Sequence, residues 1–214
     1  MPDEKGRPSE EPSAGGTRVV VSMVPDPAYW QSLGQFIEAF SMAEVGLFVY
    51  LPVCSGIPNR IARALVAGFH ADQLITAIRN VWQISPPDKD VKATVDPALV
   101  QLKEISKIRN SVAHYVSLVV SNKGRITSKI TRALTEREEH LQEYRISPEI
   151  MSAMIADLEK IGQHITYGTL VTLEPNVSRD EQRRGLPALA ASWQYKPHKH
   201  QPQSPPRQRP RDHT

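Results

Sequence analysis

Apolar residues recur at helical spacing in four stretches of the chain. The first carries Phe36, Ile37, Phe40, Leu47, Phe48 and Leu51, and the second Ile61, Leu65, Leu74, Ile78 and Val81. The third carries Leu99, Leu102, Ile105, Val112 and Val116, and the fourth Ile150, Met154, Leu158, Ile161 and Ile165. Residues three or four apart share one helical face, so each stretch predicts an amphipathic helix with one buried stripe. Proline punctuation marks where they begin. Asp26-Pro27, Asp96-Pro97 and Ser147-Pro148 each set a capping side chain directly before a proline, whose missing N–H is no loss in the first helical turn. Pro58, after Gly56-Ile57, predicts a fourth start, for a helix that bends near Gly68.

The stretch from Val116 to Thr131 departs from this period. It is rich in Val, Ile and Thr, and Ser121-Asn122-Lys123-Gly124 has the composition of a hairpin turn. Thr135 with Glu138 then fits a capping box, predicting a short helix through about Tyr144. The fold class that follows is all-α, an antiparallel four- to five-helix bundle with a short β-like excursion after the third helix. It occupies residues 25–172, between a turn-rich, disordered segment 1–24 and a basic Pro/Gln/His-rich tail 173–214.

Composition narrows the chemistry. A single cysteine, Cys54, excludes an internal disulfide framework and suits a reducing compartment. There is no glycine-rich phosphate loop, no zinc-ligand spacing and no serine nucleophile motif. The longest apolar run, VGLFVYLPVC, is too short to span a bilayer and contains Pro52, so the expectation is a soluble cytoplasmic protein with no membrane partner. Charge is uneven. Residues 183–214 hold seven Lys/Arg against Asp212, a local +6 that leaves −3 on residues 1–182 of a chain whose net charge is +3. Such a tail suits electrostatic contact with an RNA backbone, or serves only to solubilise. Trp193 is its one large anchor, a candidate for docking on the domain.

Two charges stand where the stripes call for hydrophobes. On the third helix Arg109 falls in the series 102, 105, 109, 112, 116, and on the first Glu44 falls in 36, 40, 44, 48. Burying a guanidinium is costly unless it is paired, so either Glu44 is the partner that orients Arg109 or both charges snorkel to solvent from the edge of their stripes.

Arg109 also opens the segment Arg109-Asn110-Ser111-Val112-Ala113-His114. An arginine followed at this spacing by histidine, with a polar residue directly after the arginine and late in the third helix of a helical domain, resembles the HEPN superfamily. The family's looser range of four to six intervening residues is also met by Arg63 to His70, with six between, and Arg207 to His213, with five, but a helix bend separates the first pair and the second lies in the tail. The resemblance implies a metal-independent endoribonuclease, without cofactor, of the kind found in toxin–antitoxin and phage-defence systems. It acts as a homodimer on RNA, with an antitoxin or regulatory partner. Other members bind a nucleotide or a partner protein without catalysis, which is the alternative reading. On the catalytic reading His114 is the general acid/base, Arg109 the phosphate clamp and Asn110 a hydrogen-bonding positioner, with Glu44 in support and no metal. Five residues turn an ideal helix through about 500°, leaving Arg109 and His114 about 140° apart, so a shared site is expected in a groove between two copies.

Overall fold

A computed structural model describes residues 27–114, 117–122, 125–133, 141–186, 189 and 191–197, and for residues 114, 117–122, 125–133 and 141–145 it describes the backbone alone. The predicted segment 1–24, the capping box at Thr135 and Glu138, and the tail beyond Pro197 lie outside the described residues. The described part is mostly helical: α1 (Pro27–Ser55), α2 (Asn59–Leu65), α3 (Ala71–Ile84), α4 (Lys89–His114), α5 (Pro148–Leu173) and α6 (Arg179–Arg183). Between α4 and α5 run three strands, β1 (Ser117–Asn122), β2 (Arg125–Ala133) and β3 (Leu141–Ile146).

α1 is helical from Pro27, the first described residue of the domain, and its predicted cap Asp26 lies outside the described residues. It runs for 29 residues straight through Pro52, which is buried in its last turns rather than breaking it. A proline there forfeits a single intrahelical bond, and packing offsets the loss. By length and composition α1 is apolar enough to cross a membrane, yet its face from Tyr29 through Phe36, Phe40, Ala43, Leu47 and Tyr50 lies in the protein core. It stops at Gly56, whose φ of +66° is the left-handed conformation that glycine adopts without steric cost.

The predicted bend near Gly68 is a full break. Gly68 has φ +83° and separates α2 from α3, so the apolar stripe does not carry across. Ala62 and Val66 face inward from this region while Ile61 and Leu65 are exposed, contrary to their place in the predicted stripe.

α4 starts earlier than expected. Pro97 lies inside it, and Asp96 does not cap but forms an ion pair with Arg79 of α3 at 2.9 Å. The cap is Asp88, whose carboxylate accepts from Asp90 N–H and whose carbonyl accepts from Lys92 N–H. The extra turns bury Val91 and Val95, apolar burial that outweighs the bond Pro97 cannot make. At α5 the prediction and the structure coincide: Pro148 occupies the first turn and the Ser147 hydroxyl accepts from Ile150 N–H.

The β excursion is larger than expected. β2 pairs antiparallel with β1, Asn122 opposite Arg125, and also with β3, Ser128 opposite Ile146. Residues 141–144, expected to finish a short helix, therefore lie in a strand. A local capping signal promises a bond or two, and pairing along β2 supplies a ladder.

One core joins the helices. α1 lies against α5 and α3, and α4 against α5 and α3. Gly168 of α5 sits where Tyr50 of α1 and Val95 of α4 both approach, and an added Cβ would meet Val95 Cγ2 at 2.7 Å. Its missing side chain lets three helices close together.

Candidate functional site

α4 carries Arg109 and Asn110 in its C-terminal turns. The core-facing residues there are Leu102, Ile105 and Ile108, so Arg109 sits at the edge of the stripe and is half-buried. Its guanidinium carbon lies 5.5 Å from the centroid of the buried Phe40 ring on α1. Nη1 donates to Asn110 Oδ1 at 3.2 Å. An aromatic face beneath and an amide beside it fix the plane of the guanidinium, and a cation at a helix C-terminus is favoured by the backbone dipoles. Lys107 lies nearby on the surface and pairs with Glu104 at 2.7 Å.

Glu44 does not do what its position predicts. Its Oε1 accepts from Ala71 N–H at 2.9 Å, capping the start of α3 from the neighbouring helix. Among the described residues no ion pair joins it to Arg109. The first N–H groups of a helix attract a carboxylate, and α3 presents them where α1 passes. The cap is completed locally by Gln73, whose Oε1 accepts from His70 N–H at 3.0 Å.

Of the four predicted residues, the structure brings Arg109 and Asn110 together and sets Glu44 to a different task. His114 is the last residue of α4, and its side chain lies outside the described residues.

A second polar cluster lies on the α4/α5 face. Asp157 of α5 is 1% exposed, and its carboxylate accepts three hydrogen bonds: Gln194 N–H at 2.8 Å, Tyr195 N–H at 2.9 Å and Gln101 Nε2 at 2.8 Å. Gln101 Nε2 also donates to the Tyr195 carbonyl at 2.9 Å. Lys160 Nζ stands 4.0 Å from the Trp193 ring centroid. The His164 ring lies 5.4 Å from the same ring, tilted by 34°. His164 Nδ1 is 2.6 Å from the Thr94 carbonyl, which only accepts, so Nδ1 carries the proton and Nε2 is left buried with no partner among the described residues. Burial holds the imidazole below its ordinary pKa and the Lys160 ammonium lowers it further, against the raising effect of the Thr94 bond. Burial likewise lowers Lys160, with Asp157 partly restoring it.

Trp193 docks, as the sequence suggests, but sequence reasoning does not name the residues that receive it. A signal was present. Asp157 and His164 fall on the helical series 150, 154, 157, 161, 164, 168, polar groups on an apolar stripe, the same anomaly that singles out Arg109 and Glu44.

Among the described residues no group of three or more His, Cys, Asp or Glu is gathered to hold a metal ion. No protein-family model, curated protein or solved structure matches the chain.

Proposed function

We propose that the protein is a metal-independent endoribonuclease of HEPN type, working in the cytoplasm as a homodimer and serving as a toxin or defence effector. The observation that carries this reading is the presentation of Arg109: a half-buried guanidinium held by Phe40 and Asn110 at the end of a long helix, with His114 five residues further on. Among the described residues no ion pair occupies it. The antiparallel helical arrangement of that superfamily is supported by the pairing of Thr94 with His164 and of Gln101 with Asp157, which runs α4 and α5 in opposite directions.

RNA brings its own nucleophile, the 2′-hydroxyl. The enzyme has to move protons and stabilise the charge that builds on the phosphorane oxygens. His114 removes the 2′-proton or protonates the 5′-leaving oxygen, and Arg109 donates from its planar fork to the phosphate. Asn110 commits its carbonyl to Arg109, so its work is to aim the guanidinium. The products are a 2′,3′-cyclic phosphate and a 5′-hydroxyl. The α4 end of a second copy faces the first across a two-fold axis, bringing both Arg/His pairs to one groove.

The test is incubation of purified protein with mixed RNA in EDTA, beside Arg109→Ala and His114→Ala. Each substitution is expected to slow cleavage by roughly 10²- to 10⁴-fold, the usual range for a proton-transfer group. Undiminished cleavage in both variants, or none by a folded dimeric wild type on several RNAs, overturns the nuclease reading and leaves a non-catalytic bundle that binds a nucleotide or a partner protein.

A further inference from the structure

The contacts that hold residues 191–197 are those of peptide recognition. Asp157 takes the N–H groups of two successive residues, Gln194 and Tyr195, while Gln101 takes the carbonyl of the second. These bonds grip main chain and read no sequence. Specificity sits one residue earlier, where Trp193 lies against Lys160 and His164. A main-chain clamp beside a side-chain slot is how a protein surface reads an extended peptide.

The segment also completes the groove's polar bonding. With it in place Asp157 is 1% exposed and its carboxylate is satisfied by three N–H groups, two of them from the segment. The Lys160 ammonium has the Trp193 ring as its cation–π partner. The segment in turn is anchored at two side chains. Ala191, Ser192, Gln194, Lys196 and Pro197 are exposed, while Trp193 and Tyr195 pack against the core, and Gly185 at φ +88° lies between α6 and the segment. A segment held through so few of its side chains opens without unfolding the domain.

We propose that the α4/α5 groove formed by Gln101, Asp157, Lys160 and His164 is a binding site for an extended peptide led by an aromatic residue, filled here in cis by Trp193-Gln194-Tyr195. The bound segment sets the point from which the basic tail leaves the domain. It exchanges with a competing segment of the same chemistry.

The experiment uses the full chain carrying Trp193→Ala, which empties the slot, and a fluorescein-labelled peptide of residues 191–197 followed by fluorescence anisotropy. Saturable binding is expected, at least tenfold tighter than to the wild type, whose own segment competes. It should weaken at least tenfold when the peptide's tryptophan is replaced by alanine, or when Asp157→Asn is added to the protein. A folded Trp193→Ala chain that does not bind saturably, or binds both peptides alike, overturns the proposal. Should that variant not fold, the wild type labelled with 5-fluorotryptophan is titrated with unlabelled peptide. Movement of the Trp193 fluorine resonance supports exchange, and an unmoved resonance at saturating peptide refutes it.

Discussion

Gly168→Ala adds one methyl group at the point where α1, α4 and α5 come closest. The new Cβ would lie 2.7 Å from Val95 Cγ2, 3.2 Å from Tyr50 Cε2 and 3.5 Å from Tyr50 Cζ. Neither neighbour yields easily. Val95 and Tyr50 are both fully buried, valine is restricted at χ1, and the tyrosine ring is rigid. Overpacking of this kind costs about 1–3 kcal/mol, from which the helical preference of alanine over glycine returns up to about 1 kcal/mol. The expected net loss is roughly 1–2 kcal/mol, or about 2–8 °C in Tm for a chain of this size. Gly162 is the internal control. It lies on the same helix with nothing within 4 Å of its would-be Cβ, so Gly162→Ala should stabilise by a few tenths of a kcal/mol up to about 1. Urea denaturation followed by circular dichroism gives both values. The mechanism is checked by adding Val95→Ala, which removes the clashing methyl: the double variant should be more stable than the two single losses predict, by over about 0.5 kcal/mol. If Gly168→Ala matches Gly162→Ala, or the two losses simply add, close approach of these helices is not what Gly168 provides.

Other consequences follow from individual contacts. His164 binds its proton less readily folded than unfolded, so its share of stability is intact above about pH 6.5 and declines as pH falls toward the lowered folded value. Urea midpoints at pH 7.5 and 5.5 should differ less in His164→Asn, and an unchanged difference would remove this histidine as the cause. Glu44→Ala should cost about 0.5–2 kcal/mol through the lost α3 cap, and the charge swap Glu44→Arg with Arg109→Glu should not restore stability; rescue by the swap would mean the two charges do pair. Cys54 is half-buried, with its thiol pushed up to about 12 by burial, so at pH 8 it should react with a disulfide reagent far more slowly in the native protein than in urea. Equal rates would show that the thiol is open to solvent.

The candidate site is partly legible in the sequence because its signal is local. Arg109 and Asn110 are neighbours in the chain, and their side chains meet for that reason. The pairing of Arg109 with Glu44 fails because two misplaced charges on different helices say nothing about which third element lies between them. α3 begins beside Glu44, and its unsatisfied N–H groups claim the carboxylate. The second groove is less legible still. Trp193 can be marked as an anchor, but its receiving surface needs α4, α5 and the tail together, with Gln101 and Tyr195 distant in sequence and hydrogen-bonded in space.

What the sequence alone determined is whatever a few consecutive residues can decide. Apolar periodicity placed the main helices, Ser147-Pro148 fixed the start of α5, and the run of β-branched residues after α4 marked β1 and β2. Tertiary structure decided the rest wherever burial or pairing outweighed a local preference. Val91 and Val95 drew α4 back past Pro97, β2 drew residues 141–144 out of a helical reading, and Gly68 divided one predicted helix into two faces. Local signals of this kind carry about 1 kcal/mol, while a buried side chain or a strand ladder carries several times that. Where the two disagree in this protein, burial and pairing set the course of the backbone.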